Sequence, residues 1–97
     1  MRRFWPLMIR RVVGYSMSPT LEPGTLVVGY CWRRMHATDT VVIASMDGRE
    51  VIKRVHAIMP EGITLLGDNP SFSTDSRQKG LVQARSIKSV VVWPRTL

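Results

Sequence analysis

The chain is poor in several features that would mark common protein types. It has a single cysteine, Cys31, in 97 residues. An internal disulfide framework is therefore excluded, and a reducing compartment fits. The N-terminal apolar stretch from Phe4 to Ile9 is short and carries Pro6. A bilayer span needs about 20 apolar residues and a secretory signal core roughly 7–15. The reading is therefore a soluble or peripheral protein without its own membrane anchor. No segment carries a sustained 3.6-residue apolar period, which argues against an α/β fold. Acidic residues are scarce, 7 against 14 Lys and Arg, for a formal charge of +7. Aromatic residues make up 7% and form no regular stripe. Cys31 and His36 are two potential metal ligands, short of the roughly four that a structural zinc site needs. No metal and no cofactor are expected.

What is present reads as one all-β domain. The hydrophobic fraction is 44%, enough for an ordinary core. Strands are expected at 10–13, 25–30, 40–45, 50–59, 63–66 and 87–93, rich in β-branched residues and separated by turn signals. Asp47-Gly48 marks a hairpin. Glu22-Pro23-Gly24 and Pro60-Glu61-Gly62 mark further turns. Residues 67–80 read as a polar loop, and Met17–Leu21 as a short helix limited by Pro19 and Pro23. Closely spaced short strands predict a mainly antiparallel folded sheet or barrel with little helix. We divide the single domain, 1–97, into a basic and apolar N-terminal segment, 1–11, and a core, 12–93. In the first segment Arg2, Arg3, Arg10 and Arg11 flank the apolar run, a pattern suited to peripheral contact with an anionic membrane.

Three segments carry the chemistry. Ser16 follows a strand and Gly14, and Pro19 stiffens the chain beyond it; the glycine permits a sharp turn and close approach of a substrate carbonyl. An isolated serine before such a turn would ordinarily be a cap. Lys53 adds weight to the other reading. Side chains alternate along a strand, so Val51, Lys53 and Val55 share one face, and Ile52, Arg54 and His56 the other. A lysine between valines loses its charge more readily, and a neutral amine can take a proton from a hydroxyl. A lysine whose stem packs while its amine reaches solvent is the competing picture. In the polar loop, Ser73 can orient the amine, while Asp68, Asp75 and Arg77 can brace the loop.

Ser16-Met17-x-Pro19-Thr20-Leu21, Lys53-Arg54, and Gly67-Asp68-Asn69 through Ser73-x-Asp75-Ser76-Arg77 together resemble the type I signal peptidase family, in the family's order. The resemblance implies a compact, β-rich serine endopeptidase with a peptide groove. It implies that Ser16 is the nucleophile, Lys53 the general base and Ser73 the hydroxyl positioning the lysine. Asp75 and Arg77 match a structural ion pair, and Met17 and Pro19 match residues that shape the turn and the substrate surface. The expected partner is a protein or peptide that binds as an added strand. Gly14 stands where many members have a hydroxyl donor to the oxyanion, so the oxyanion hole falls to backbone N–H groups, chiefly that of Ser16.

The anchor helix and accessory β insertion typical of secretory members are missing from the pattern. A compact form is similar to the proteases that mature nickel-type superoxide dismutase. That likeness implies removal of an N-terminal leader from a dismutase precursor in the cytoplasm, with a peripheral position at the inner face of the membrane as the variant that the basic N-terminus suggests. General processing of exported proteins is the alternative. A Ser16, His56 and Asp68 or Asp75 triad can be drawn, but His56 falls on the strand face opposite Lys53. A basic nucleic-acid-binding barrel using Trp5, Trp32, Tyr15 and Tyr30 is the rival from another class. It leaves a lysine on a valine face unexplained, and no nucleic acid is expected.

Overall fold

The computed structural model describes residues 5–32, 37–69 and 80–95. Seven strands run β1 (Leu7–Arg11), β2 (Leu26–Tyr30), β3 (Val41–Met46), β4 (Arg49–Met59), β5 (Gly62–Leu66), β6 (Gly80–Val82) and β7 (Ile87–Trp93). They form one curled sheet in the order β1-β2-β7-β3-β4-β5-β6, and every pairing is antiparallel. The predicted all-β class is what the chain adopts.

Turn chemistry accounts for the hairpins. Asp47 (φ 55°) and Gly48 (φ 78°) both take positive φ, as the tight turn between β3 and β4 requires. The strand expected at 10–13 is β1 displaced toward the N-terminus, but its ladder continues. Val12 donates to Thr25 O at 2.8 Å and Gly24 donates to Val12 O at 2.8 Å. The expected short helix at Met17–Leu21 is only a turn. Leu21 N–H reaches Met17 O at 2.9 Å, and no second such bond follows. Pro19, without an N–H, cannot continue a ladder. The sequence reading missed β6, whose three residues directly follow the polar loop. It also missed the 3₁₀ turn at Ala84–Ser86.

Two apolar clusters lie on opposite faces of the sheet. One unites Met8, Val27, Ile43 and Val91 with Met17 and Leu21, which are 1% exposed. The turn around Ser16 is thus moored by its own residues to the sheet. The other cluster, with Val42, Ala44, Val55, Leu65 and Val82, fills the curl of β3 to β7. Burying a Leu- or Met-sized side chain contributes roughly 1.5–3 kcal/mol, so the first cluster secures the Ser16 segment despite its lack of regular structure. Between β2 and β7 the backbone and a side chain meet closely. A Cβ on Gly29 would lie 2.8 Å from Ser89 Cβ. Ser89 is buried, and its hydroxyl has no hydrogen-bond partner among the described residues.

Candidate active site

β4 changes partner along its length. Arg49–Arg54 pair with β3, whereas Arg54–Met59 pair with β5; Arg54 has a ladder neighbour on both sides, and Val55, paired with Leu65, also exchanges backbone hydrogen bonds with Asp39 and Thr40. Among the described residues, the 49–53 stretch therefore has one unpaired edge. β1, at the margin of the sheet, has another. A cavity of about 500 Å³ lies between them, lined by residues 10–17 and 49–53. Ser16 and Lys53 are both in its wall.

An ion pair closes one end of the slot. Arg10 Nε donates to Glu50 Oε1 at 2.5 Å, and Lys88 Nζ reaches Glu50 Oε2 at 3.1 Å. Burial pushes the Glu50 carboxyl up, but the hydrogen bonds from Arg10 and Lys88 outweigh it and hold the group below its ordinary value. Lys53 is half-buried. Its pKa is depressed, first by loss of solvent and second by the positive charge of Arg49. Val51 and Val55 pack with the cluster inside the curl and Ile52 with the opposite one, as strand alternation requires. Lys53 is thus flanked by apolar packing on both faces of the strand, while Arg49 and Glu50 before it are exposed. Among the described residues no hydrogen bond joins Ser16 to Lys53. Such contacts often tighten only when substrate binds.

The turn carrying Ser16 is built from three directions. Gly14 takes φ +81°, with open space where a Cβ would stand. The glycine is needed for its backbone conformation, not for room, and a hydroxyl-bearing residue there would be strained. Met17 anchors the turn in the core and also contributes to the cavity wall. Pro19 is exposed and outside that wall. The third support is the Gly67-Asp68-Asn69 segment. Asn69 N–H donates to Ser16 O at 2.8 Å, and its Nδ2 donates to Tyr15 O at 3.0 Å. The Thr20 side chain, beside Asp68, helps to favour its carboxylate form.

Asp68 in turn is held by Arg54. Nε donates to Oδ1 at 2.9 Å and Nη2 to Oδ2 at 2.8 Å, while Nη1 reaches Asp39 O at 2.7 Å. The Arg54 hydrogen bonds keep the Asp68 carboxyl below its ordinary range, against the opposing effect of burial. Sequence reasoning gave Asp68 a bracing role but not this partner, and it gave Asn69 no role. The signal was the adjacency of Arg54 to Lys53, which is silent until the pairing of β4 with β5 is known.

Ser73, Asp75 and Arg77 lie outside the described residues, as does His36. His56 is exposed and absent from the cavity wall, and Asp68 is engaged by Arg54, so among the described residues Ser16, His56 and Asp68 are not assembled as a triad. Cys31 is half-buried against the first apolar cluster. Among the described residues no group of three or more His, Cys, Asp or Glu could hold a metal ion. None of the described helices is long and apolar enough to cross a membrane.

No curated protein and no solved structure matches the chain. A family model described as Peptidase S24-like does, over residues 6–91. That interval takes in both unpaired edges, the Ser16 turn and all seven strands but the last two residues of β7. The chain therefore belongs to the Peptidase S24-like family of serine peptidases.

Proposed function

We propose that the protein is an endopeptidase in which Ser16 is the nucleophile and Lys53 the general base. The observation that carries this reading is the common cavity wall of a hydroxyl and a half-buried amine whose charge is disfavoured. Ser16 Oγ attacks the scissile carbonyl carbon while Lys53 Nζ takes the hydroxyl proton. The C–N bond then breaks, and the amine leaves with that proton. Water, deprotonated by Lys53, cleaves the acyl ester and returns the proton to Oγ. The substrate enters as an extended segment between the β1 and β4 edges, whose backbone groups supply a ladder. Ser73 orients the Lys53 amine, and the Asp75–Arg77 ion pair braces the loop that holds it. Gly14, Met17 and Pro19 shape the turn.

The substrate we favour is the N-terminal leader of a nickel-type superoxide dismutase precursor. The support is the compact signal-peptidase-like arrangement of the three motifs. Co-expression with such a precursor, followed by mass measurement of its N-terminus, tests this. A shortened precursor that stays intact with Ser16→Ala and Lys53→Ala is expected. An uncut leader beside cleavage of an exported protein's signal would favour general processing instead.

We also propose peripheral contact with an anionic membrane. The three tryptophans Trp5, Trp32 and Trp93 are 67%, 54% and 52% exposed. Ile9, Val28 and Trp93 stand opposite one another across β1, β2 and β7, with Leu7 beside Tyr30 in the next row. Those three strands contain no acidic residue. Exposed tryptophan and aliphatic side chains among cations suit a lipid headgroup boundary, where all of them can bury apolar area at once, better than the phosphate-lined surface of a nucleic acid. Sedimentation with phosphatidylglycerol vesicles but not phosphatidylcholine vesicles is expected, weakened by Trp93→Ala. Equal indifference to both vesicles would remove the proposal, and binding to single-stranded DNA alone would favour the rival.

A further inference from the structure

The reading of Ser16 as nucleophile leaves one part of the chemistry without an assigned group. A tetrahedral intermediate needs a hydrogen-bond donor for its oxyanion, and Gly14 offers no side chain. Backbone N–H groups must serve, and their value depends on being fixed in direction before charge develops. The turn at Ser16 lacks the regular ladder that fixes N–H groups elsewhere.

Asn69 supplies that constraint. Its side-chain Nδ2 holds Tyr15 O at 3.0 Å, and its backbone N–H holds Ser16 O at 2.8 Å. A trans peptide unit is planar, with C=O and N–H pointing in opposite directions. Tyr15 O belongs to the same unit as Ser16 N–H, and Ser16 O to the same unit as Met17 N–H. Tying the two carbonyls to Asn69 turns both N–H groups away from it. Asn69 is not part of the cavity wall, whereas Tyr15, Ser16 and Met17 are. Among the described residues, neither N–H donates a hydrogen bond. Two successive donors are thus oriented and left available.

We propose that Asn69 is a positioning residue for the oxyanion hole: it fixes the two peptide units whose N–H groups, chiefly that of Ser16, receive the developing negative oxygen. It touches neither substrate nor the reacting atoms. Tyr15 O also accepts from Ser18 N–H at 3.0 Å within the turn, so Nδ2 is the second of two bonds that fix the Tyr15–Ser16 unit, and the one that ties it to the neighbouring segment. The backbone bond to Ser16 O survives substitution at 69 by any residue but proline, whereas the Nδ2 bond does not.

The proposal rests on Ser16 being the nucleophile, and the experiment separates the two. A fluorophosphonate probe phosphonylates an activated serine: the Oγ–P bond forms, fluoride leaves, and the hydroxyl proton passes to the base. Its phosphoryl oxygen occupies the oxyanion hole. Labelling is followed by mass for the wild type, Ser16→Ala, Asn69→Ala and Asn69→Asp, with the maximal rate and half-saturating probe concentration measured separately. Asn69→Asp keeps size and shape but loses the Nδ2 donor. Both Asn69 variants should label about 10–100-fold more slowly at saturation, since loss of one hole donor costs about 10²–10³ and misdirection costs less. The half-saturating concentration should stay within about twofold of wild type, and the pH at half-maximal rate should not move. Unchanged saturating rates per folded molecule, or losses that only track a lower melting temperature, would overturn the assignment. A wild-type protein that takes no label at Ser16 would instead remove the reading beneath it, and the positioning role with it.

Discussion

The two halves of β4 are one continuous strand with opposite fates. Residues 49–53 lean on β3, begin exposed at Arg49 and Glu50, pack Val51 and Ile52 against opposite apolar clusters, and leave an edge open to the cavity. Residues 55–59 lean on β5, and after the buried Val55 they run out into solvent at Ile58 and Met59. The sequence of the strand mixes Val and Ile with charged and polar residues in both halves, so propensity does not separate them. The change of ladder partner at Arg54 does. An amine at 53 is partly desolvated; one at 58 or 59, near the far end, would be wet. A strand that hands over between two neighbours thus offers both an unpaired edge and, beside it, a position where a lysine's charge is disfavoured.

The largest effect expected from breaking this contrast is in the first half. Lys53→Met should lower cleavage by at least about 10³-fold, in line with removal of a catalytic base in other serine enzymes. It should leave the melting temperature unchanged or higher, because a half-buried ammonium is replaced by an apolar side chain. Calorimetry beside an activity assay checks both parts. Activity retained in this variant would dispose of the base.

The pH dependence sharpens the same point. The folded pKa of Lys53 lies below its ordinary 10.5, so the unfolded chain binds the proton more tightly. The cost of holding this lysine in the fold is fully present below the folded pKa and disappears as pH rises through 10.5. Cleavage should rise with pH through the folded value, below 10.5, as the neutral amine accumulates. A flat profile from acid to mildly alkaline pH would contradict it. Asp68 acts in the opposite range. Its folded pKa lies below the ordinary 3.8, so its stabilisation is present above 3.8 and is lost as pH falls through the folded value.

Removing the pivot between the halves comes next. Arg54→Met should destabilise the fold by about 1.5–3 kcal/mol, the size of a partly buried charged hydrogen-bond pair. It should also loosen the Ser16 turn through Asp68. Urea titration gives the first, and fluorophosphonate labelling the second. Gly29→Ala should cost about 1–3 kcal/mol by forcing β2 from β7, whereas Ser89→Ala should be neutral or slightly stabilising, since it removes an unpartnered buried hydroxyl. At the far end of β4, Ile58→Lys should change stability by less than about 0.5 kcal/mol and cleavage not at all.

Much of this was legible in the residues. β-branched runs and Asp47-Gly48 fixed the class and one hairpin, and β7 was placed at Ile87–Trp93 with its observed ends. β1 was read late because its apolar residues sit beside Pro6 and paired arginines, which resemble a surface arm more than a strand. β6 escaped because three residues carry no period. Local pattern drew notice to the two wall residues Ser16 and Lys53 but left each balanced against a cap or a solvent-reaching lysine, and the resemblance of three ordered motifs decided between them. What no local pattern holds is which strand lies next to which. Arg54 with Asp68, and Asn69 with the Ser16 turn, are consequences of pairing between β4 and β5, and the register of a sheet is set by distant partners.

The strand order has one more consequence, for the timing of synthesis. β7, the last strand in sequence, lies between β2 and β3 and joins the β1–β2 ribbon to β3–β6. Until the stretch through Trp93 has emerged from the ribosome, those two portions have no ladder between them, and the β1 and β4 edges have nothing to hold them at a fixed separation. Such non-local closure is slow compared with hairpin formation. A nascent chain would thus remain inert while it is being translated, and proteolytic competence would arrive abruptly with the insertion of a single seven-residue strand.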